Sequence, residues 1–181
     1  MADNAAIPSE HAARHCSQDQ IAAALWQFSL AFYPSSQQLL LRLQDAHGSN
    51  INVLLCICWL SLQQQQLTAG QLAQLLVAIA PVNQQVTAPL RQIRRNLSPS
   101  TEHFKTMLLA AELKAEQQEQ QHIAQVLAEC WPELLMLEHP IIALQMYLNA
   151  GRSDVAAAQS LLVDLDQAIR GYTPNHGETL I

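Results

Sequence analysis

Three arginines lie close together at Arg91, Arg94 and Arg95, and they form the densest positive charge in a chain with only 9 Lys and Arg residues. On a helix, side chains three and four residues apart share one face, so all three guanidinium groups are expected to point to the same side. A guanidinium presents a planar fork of N–H donors that suits bidentate binding of a carboxylate or a phosphate. The cluster therefore predicts a site that binds anions.

Asp45 is the favoured carboxylate from the chain itself. It lies in the last turn of a predicted helix that ends at Gly48, where the helix dipole disfavours negative charge. We therefore predict that Asp45 lies within ion-pair distance of at least one of the three arginines. Two alternatives remain open: the arginines bind a phosphorylated ligand or an acidic partner segment, or they are a solvated helix surface.

No other motif in the sequence indicates catalysis or metal binding. His103, His122 and His139 are scattered, without a ligating residue three or four positions further on. Cys56 and Cys58 are two apart on a predicted helix and point to different sides, which disfavours a shared metal ion or a disulfide between them. There is no Gly-rich phosphate loop and no evident nucleophile-and-base arrangement. We expect no metal and no cofactor, and the sequence favours a non-enzymatic protein.

Composition limits the class of partner and the compartment. The net charge of −6 argues against a binder of nucleic acid or of membrane surfaces. The 4 cysteines are expected to be buried free thiols, as is typical of a reducing cytosol. The first fifteen residues contain no basic region followed by an apolar stretch, so they do not resemble a signal peptide. We therefore expect a cytoplasmic protein.

The elements that must position the arginines are predicted to be helices. Half of the residues are hydrophobic, and helix-favouring Leu, Ala and Gln dominate. Asn50 is a good N-cap for the stretch Ile51 to Leu62, which is apolar on every side and too short to span a membrane. The sequence predicts an all-α protein, a single bundle of about seven to eight helices around a buried central helix at about residues 50–64.

Capping residues and prolines place the other helices. Ser17 with Gln20 forms a capping box that opens a first helix, and Pro34 is predicted to end it. A second break is predicted near Pro81, before a helix that carries the arginines. The segment 114–122 is apolar only at Ala115, so we expect it to project into solvent.

The C-terminal part is predicted to add two helices, at about 133–150 and 154–170. The second has an apolar seam at 3–4 spacing, formed by Val155, Ala158, Leu162, Leu165 and Ile169. The seam favours packing onto the rest of the domain, with a homo-oligomer or partner contact as the alternative. The predicted organisation is a flexible tail at 1–16, a helical core at 17–130 and an extension at 131–181 packed on that core.

Several residue groups resemble a known family. They are Leu25-Trp26-x-Phe28-x-Leu30-x-x-Tyr33, Leu43-Gln44-Asp45-x-x-Gly48 with Asn52, Leu54, Leu55 and Trp59, Pro89-Leu90-Arg91-x-x-Arg94-Arg95-x-Leu97, and Ala111-Glu112-Leu113-x-Ala115-Glu116. Over roughly residues 20–125 the chain resembles DUF2390, an uncharacterised proteobacterial family of about this length. The resemblance implies no established activity. That family usually has Asp where this chain has Asn50, which weakens the idea that Asp45 and this position form a catalytic acid pair.

Two functions from different classes follow from these features. The first is a cytoplasmic protein-interaction module that uses the arginine face or exposed helices. The second is an all-helical enzyme or carrier that binds a phosphorylated ligand at Arg91, Arg94 and Arg95, assisted by Asp45. A convex face with paired arginines favours the first, and a concave, partly apolar pocket beside them favours the second.

Overall fold

The computed structural model describes residues 16–137, 139–151 and 154–173. The α-helices are α1 (Gln18–His47), α2 (Ile51–Leu62), α3 (Ala69–Val82), α4 (Ala88–Arg95), α5 (Lys105–Cys130), α6 (Pro140–Ala150) and α7 (Val155–Gly171). A π-helical turn, Asn83–Thr87, joins α3 to α4, and two-residue strands β1 (Gln65–Gln66) and β2 (Leu135–Met136) pair antiparallel. The all-α class is confirmed. The predicted tail at 1–16 lies almost wholly outside the described residues.

The predicted helix break at Pro34 is wrong, because α1 continues through this proline to His47. Proline inside a helix removes one hydrogen bond, but Pro34 is exposed and buried side chains occur both before and after it. Ser36, two residues after this proline, donates a hydroxyl hydrogen bond back to the carbonyl of Phe32 at 2.9 Å, as a serine inside a helix does. The capping box formed by Ser17 and Gln20 is present as predicted.

The central helix is confirmed. Gly48 ends α1 in the left-handed conformation, with φ of 65°, and Asn50 caps α2 by accepting a hydrogen bond from the N–H of Val53. Every residue from Asn52 to Ser61 is buried. Trp59 is 1% exposed and packs against Trp131, with their ring centroids 5.8 Å apart. The apolar core therefore lies around α2.

The predicted break at Pro81 is also wrong. Pro81 lies inside α3 on its exposed side, where water can satisfy a carbonyl that has lost its N–H partner. The chain then passes through the π-helical turn directly into α4. Because the breaks at Pro34 and Pro81 do not occur, the described chain has six continuous helices instead of the predicted seven to eight.

The segment 114–122 of α5 does not project into solvent as predicted. Ala115, Glu119 and Gln120 are buried, and α5 packs against α1, α3 and α4. The polar sequence of this segment therefore marks a buried polar layer. Its hydrogen-bond partners come from other helices and are far away in sequence, so no local pattern indicates them.

Helices α6 and α7 pack against α1, α2 and α3. The predicted helix start at about residue 133 is wrong, because Glu133 ends a short 3-10 helix and α6 begins only at Pro140. Between them lies β2, which pairs with β1. The residues predicted to form the seam of α7 are buried within the chain, except for the half-buried Val155. This favours the intramolecular alternative for that seam.

All 4 cysteines are buried, and none of them is part of a disulfide. Burial raises the pKa of the Cys56 and Cys58 thiols far above the usual range, because an apolar interior disfavours the thiolate. Within the described ranges, none of the helices combines the length and the apolar character needed to cross a membrane.

Candidate functional site

The predicted contact between Asp45 and the arginine cluster is present. Arg95 Nη2 lies 2.9 Å from Asp45 Oδ1 and links α4 to the C-terminal end of α1. Both side chains remain about half exposed, at 45% and 54%. An ion pair so open to water contributes at most about 1 kcal/mol. Asp45 therefore compensates the charge of Arg95 alone, and this ion pair contributes little to stability.

The other two arginines pair with carboxylates of α5. Arg91 Nη2 donates to Glu116 Oε1 at 2.9 Å, and Arg94 Nε lies 3.0 Å from both carboxylate oxygens of Glu112. The glutamates lie four residues apart and so face α4 one helical turn from each other. Glu112 is nearly covered, with its side chain 6% exposed. These two pairs, unlike that of Arg95, are partly buried.

Sequence reasoning did not include Glu112 and Glu116 among the site residues. They were visible as a pair of acids at helical spacing, with the same one-turn period as Arg91 and Arg94. The pattern was not used because the segment 114–122, which contains Glu116, was expected to project into solvent. Matching acidic and basic periods on two predicted helices would have indicated that the helices pack against each other.

Each arginine uses only one of its nitrogens in these pairs. A guanidinium has five N–H donors. Among the described residues, Arg91 and Arg95 donate through Nη2 and Arg94 through Nε. The remaining N–H groups of all three have no protein acceptor within the described chain. The cluster is thus electrically compensated but can still donate hydrogen bonds to another group.

The three arginines line a cavity of about 650 Å³ between α1, α2, α4 and α5. Its wall is mostly apolar and includes Trp26, Leu30, Tyr33, Ile51, Leu55 and Leu113. Polar groups from Ser29, Asn52 and Gln120 also line it, together with Glu112 and Glu116. Cavities of about 300–1,000 Å³ with apolar walls and a few polar groups are typical small-molecule sites. The arginine face is therefore concave and partly apolar.

A buried carboxylate, Glu119, is hydrogen-bonded to Asn52 of the cavity wall. Glu119 is fully buried and accepts four hydrogen bonds, from the side-chain amides of Asn50, Asn52 and Asn83 and from the hydroxyl of Thr87. Asn83 and Thr87 are the first and last residues of the π-helical turn. Such turns occur often at functional sites. Here the turn brings two donors to one carboxylate.

The Glu119 hydrogen bonds continue to the cavity wall. Because a carboxylate only accepts, Asn52 must present its NH₂ group to Glu119 and its oxygen to Gln120. The NH₂ group of Gln120 donates to that oxygen at 3.0 Å and to Ser29 Oγ at 2.9 Å. This leaves Gln120 Oε1 buried and without a hydrogen-bond partner in the described chain. Glu119 thus fixes the orientation of two side chains that line the cavity.

Burial also changes the acid–base properties of the cavity wall. Desolvation raises the pKa of Glu116, and the charges of Glu112 and Glu119 act in the same direction, although Arg91 opposes them. The pKa of Tyr33 is likewise raised, mainly by burial. A perturbed carboxyl group in a cleft is a feature that functional sites share. In the part of the chain that the structure describes, no group of three or more His, Cys, Asp or Glu side chains is placed to hold a metal ion.

Fold and site together define an all-helical protein with a charged, partly apolar cavity of ligand size. The family model described as "Protein of unknown function (DUF2390)" matches residues 24–123, more than half of the chain. The chain belongs to this family. The matched range contains every residue that lines the cavity, from Trp26 to Gln120. Searches of curated proteins and of solved structures found no match to the chain.

Proposed function

We propose that this protein binds a small, partly apolar molecule with an anionic group in the cavity between α1, α2, α4 and α5. The observation that carries the proposal is the cavity of about 650 Å³ with Arg91, Arg94 and Arg95 in an otherwise mostly apolar wall. The apolar side chains would hold the body of the ligand, and the unused guanidinium N–H groups would bind its acidic group.

The shape of the arginine face favours this function over a flat interaction surface. A convex face with paired arginines was the expected sign of a protein-interaction module. The arginines are paired, but they line a concavity. Apolar side chains in a concavity of this size forgo the stabilisation that complete burial would give, and such concavities are typical places for a ligand.

A protein partner is the second candidate, supported by the rim of the same cavity. Leu30, Leu109 and Leu113 line the cavity and are 51%, 45% and 47% exposed. Exposed apolar residues clustered at one place are typical of contact surfaces. A partner could insert an apolar side chain between these leucines, with an acidic residue on the arginines.

Two related fluorescent probes test the proposal. 8-Anilinonaphthalene-1-sulfonate (ANS) has an apolar ring system with one permanent negative charge, and N-phenyl-1-naphthylamine is its neutral analogue. We expect ANS to bind the native protein saturably, at one molecule per chain, and more tightly than the neutral analogue. Near-ultraviolet circular dichroism must show that the protein remains native, because partly folded states also bind ANS.

A charge-neutral double variant locates the binding. R91Q/E116Q removes the Arg91–Glu116 ion pair without leaving either charge uncompensated, and it should reduce the preference for the sulfonate. The control is K114Q on the side of α5 opposite Glu112 and Glu116, which should keep that preference. Absence of saturable binding of either probe, or equal behaviour of the double variant and the control, would contradict the proposed function.

A further inference from the structure

The two glutamates that face α4 are held very differently. Glu112 accepts from Arg94 Nε with both carboxylate oxygens and is almost covered. Glu116 accepts through Oε1 alone, is 29% exposed, and its Oε2 has no hydrogen-bond donor among the described residues. Both line the cavity. Of these two cavity-lining glutamates, Glu116 is therefore the one that an incoming anion can displace more easily.

The charges around the cavity limit what kind of anion can enter. Arg91 and Arg94 on α4 lie near Glu112, Glu116 and Glu119 on α5, and the charge of Arg95 is offset by Asp45. Acids therefore already outnumber arginines in this partly buried layer. Tyr33 is the titratable group that α1 brings to the wall, and α2 brings only Ile51, Asn52 and Leu55. Adding an uncompensated negative charge here would be costly because the low dielectric strengthens repulsion. A doubly charged phosphate fits worse than a group with one charge.

One proton would restore the balance, and only one of the three acids is placed to take it. Glu119 already accepts four hydrogen bonds, and a proton on it would displace a donor. Glu112 has both oxygens on Arg94. Glu116 has a free oxygen, and its raised pKa shows that its charged form is already disfavoured before any ligand binds.

We propose that the ligand is an apolar molecule with a single-charged acidic group, which replaces Glu116 on the guanidinium of Arg91 while Glu116 takes up one proton from solvent. The inference rests on the proposed function and specifies its ligand class and its linkage to pH. The exchange forms one ion pair, breaks one, and leaves the net charge of the occupied site unchanged. Anion binding therefore strengthens as the pH falls.

ANS tests this linkage because its sulfonate stays ionised between pH 5 and pH 8. For the wild type we expect the dissociation constant of ANS to decrease as the pH is lowered. The decrease is at most about tenfold per pH unit for a single linked proton. Calorimetry in two buffers of different ionisation enthalpy should show uptake of up to one proton per ANS bound. E116Q, which mimics the protonated side chain, should bind ANS more tightly than the wild type and without the pH dependence.

The matched control is E129Q, the same substitution at an exposed position of α5, which should behave as the wild type. In competition at pH 8, where inorganic phosphate is mostly doubly charged, decanoate should displace ANS and phosphate should not. ANS binding that is independent of pH, or E116Q that binds more weakly than the wild type, overturns the inference and leaves the proposed function standing. Absence of saturable ANS binding overturns both.

Discussion

The layer around α2 and the layer between α4 and α5 solve the problem of burial in opposite ways. Around α2, apolar side chains cover all sides of the helix, and burial itself is favourable. Between α4 and α5, carboxylates, guanidinium groups and amides are removed from water, and each needs a partner to offset the desolvation. The first layer therefore stabilises the fold by burial alone, whereas the second holds the polar groups on which the proposed binding depends.

The largest effect is expected in the apolar layer. Trp59→Ala should lower the free energy of unfolding by about 3–5 kcal/mol, as truncation of a large core aromatic does. Trp59 is almost fully buried and loses its contact with Trp131. Urea unfolding measures the change. A loss below about 1 kcal/mol would show that α2 is not the centre of the core.

Glu119→Gln should have the next largest effect. The new NH₂ group would face donors that now point at a carboxylate oxygen, which leaves buried donors unsatisfied at about 1–3 kcal/mol each. Two of the four donors contact each oxygen, so we expect a loss of at least about 2 kcal/mol. The exposed E129Q is the control. If both substitutions have equally small effects in urea, the polar layer is not organised by Glu119.

The partly buried ion pair and the exposed ion pair should also differ in their coupling energies. A double-mutant cycle on Arg94 and Glu112 should give a coupling of about 1.5–3 kcal/mol, and one on Arg95 and Asp45 a coupling below about 1 kcal/mol. The reason is burial, since Glu112 is nearly covered and Asp45 is half exposed.

A third cycle distinguishes among the three arginines. The sequence predicted that Asp45 contacts at least one of them; the structure shows this contact for Arg95, whereas Arg91 pairs with Glu116. The Asp45 and Arg91 cycle should therefore be close to additive. Equal coupling energies for the Arg94–Glu112 and Arg95–Asp45 pairs would mean that burial does not distinguish the two environments.

The reactivity of the buried thiols tests the apolar layer without any substitution. In the native protein, Cys56 and Cys58 should react slowly with a thiol reagent, because burial hides the sulfur atoms and raises the pKa of both thiols. In urea they should react rapidly. Mass spectrometry of the labelled protein assigns the sites, and rapid native labelling of both cysteines would show that the apolar layer opens readily.

The apolar layer could be predicted from the sequence because its signals are local. Asn50 specifies the start of α2, and the apolar run that ends at Leu62 specifies its burial. Gly48 specifies the preceding turn. None of these signals needs knowledge of any other helix. The polar layer could be predicted only in part. The contact of Asp45 with the cluster followed from charge alone and is present.

The missed part of the site depends on long-range contacts. Glu119 and its donors are separated by 32 to 69 residues, and a buried Glu in a Gln-rich stretch has the same local pattern as an exposed one. The prolines were misleading for a related reason. Packing on both sides of Pro34 keeps α1 continuous, and local rules do not include packing.

The location of a bound anion tests the central claim most directly. In a nuclear magnetic resonance titration of ¹⁵N-labelled protein with ANS, the side-chain signals of Arg91, Arg94 and Gln120 should shift together and saturate at one equivalent. Those of Arg170 and Asn149, outside the cavity, should not move. Shifts confined to the backbone amide signals of exposed apolar residues such as Phe104 and Met107, with the arginine side-chain signals unchanged, would contradict the assignment of this cavity as a binding site.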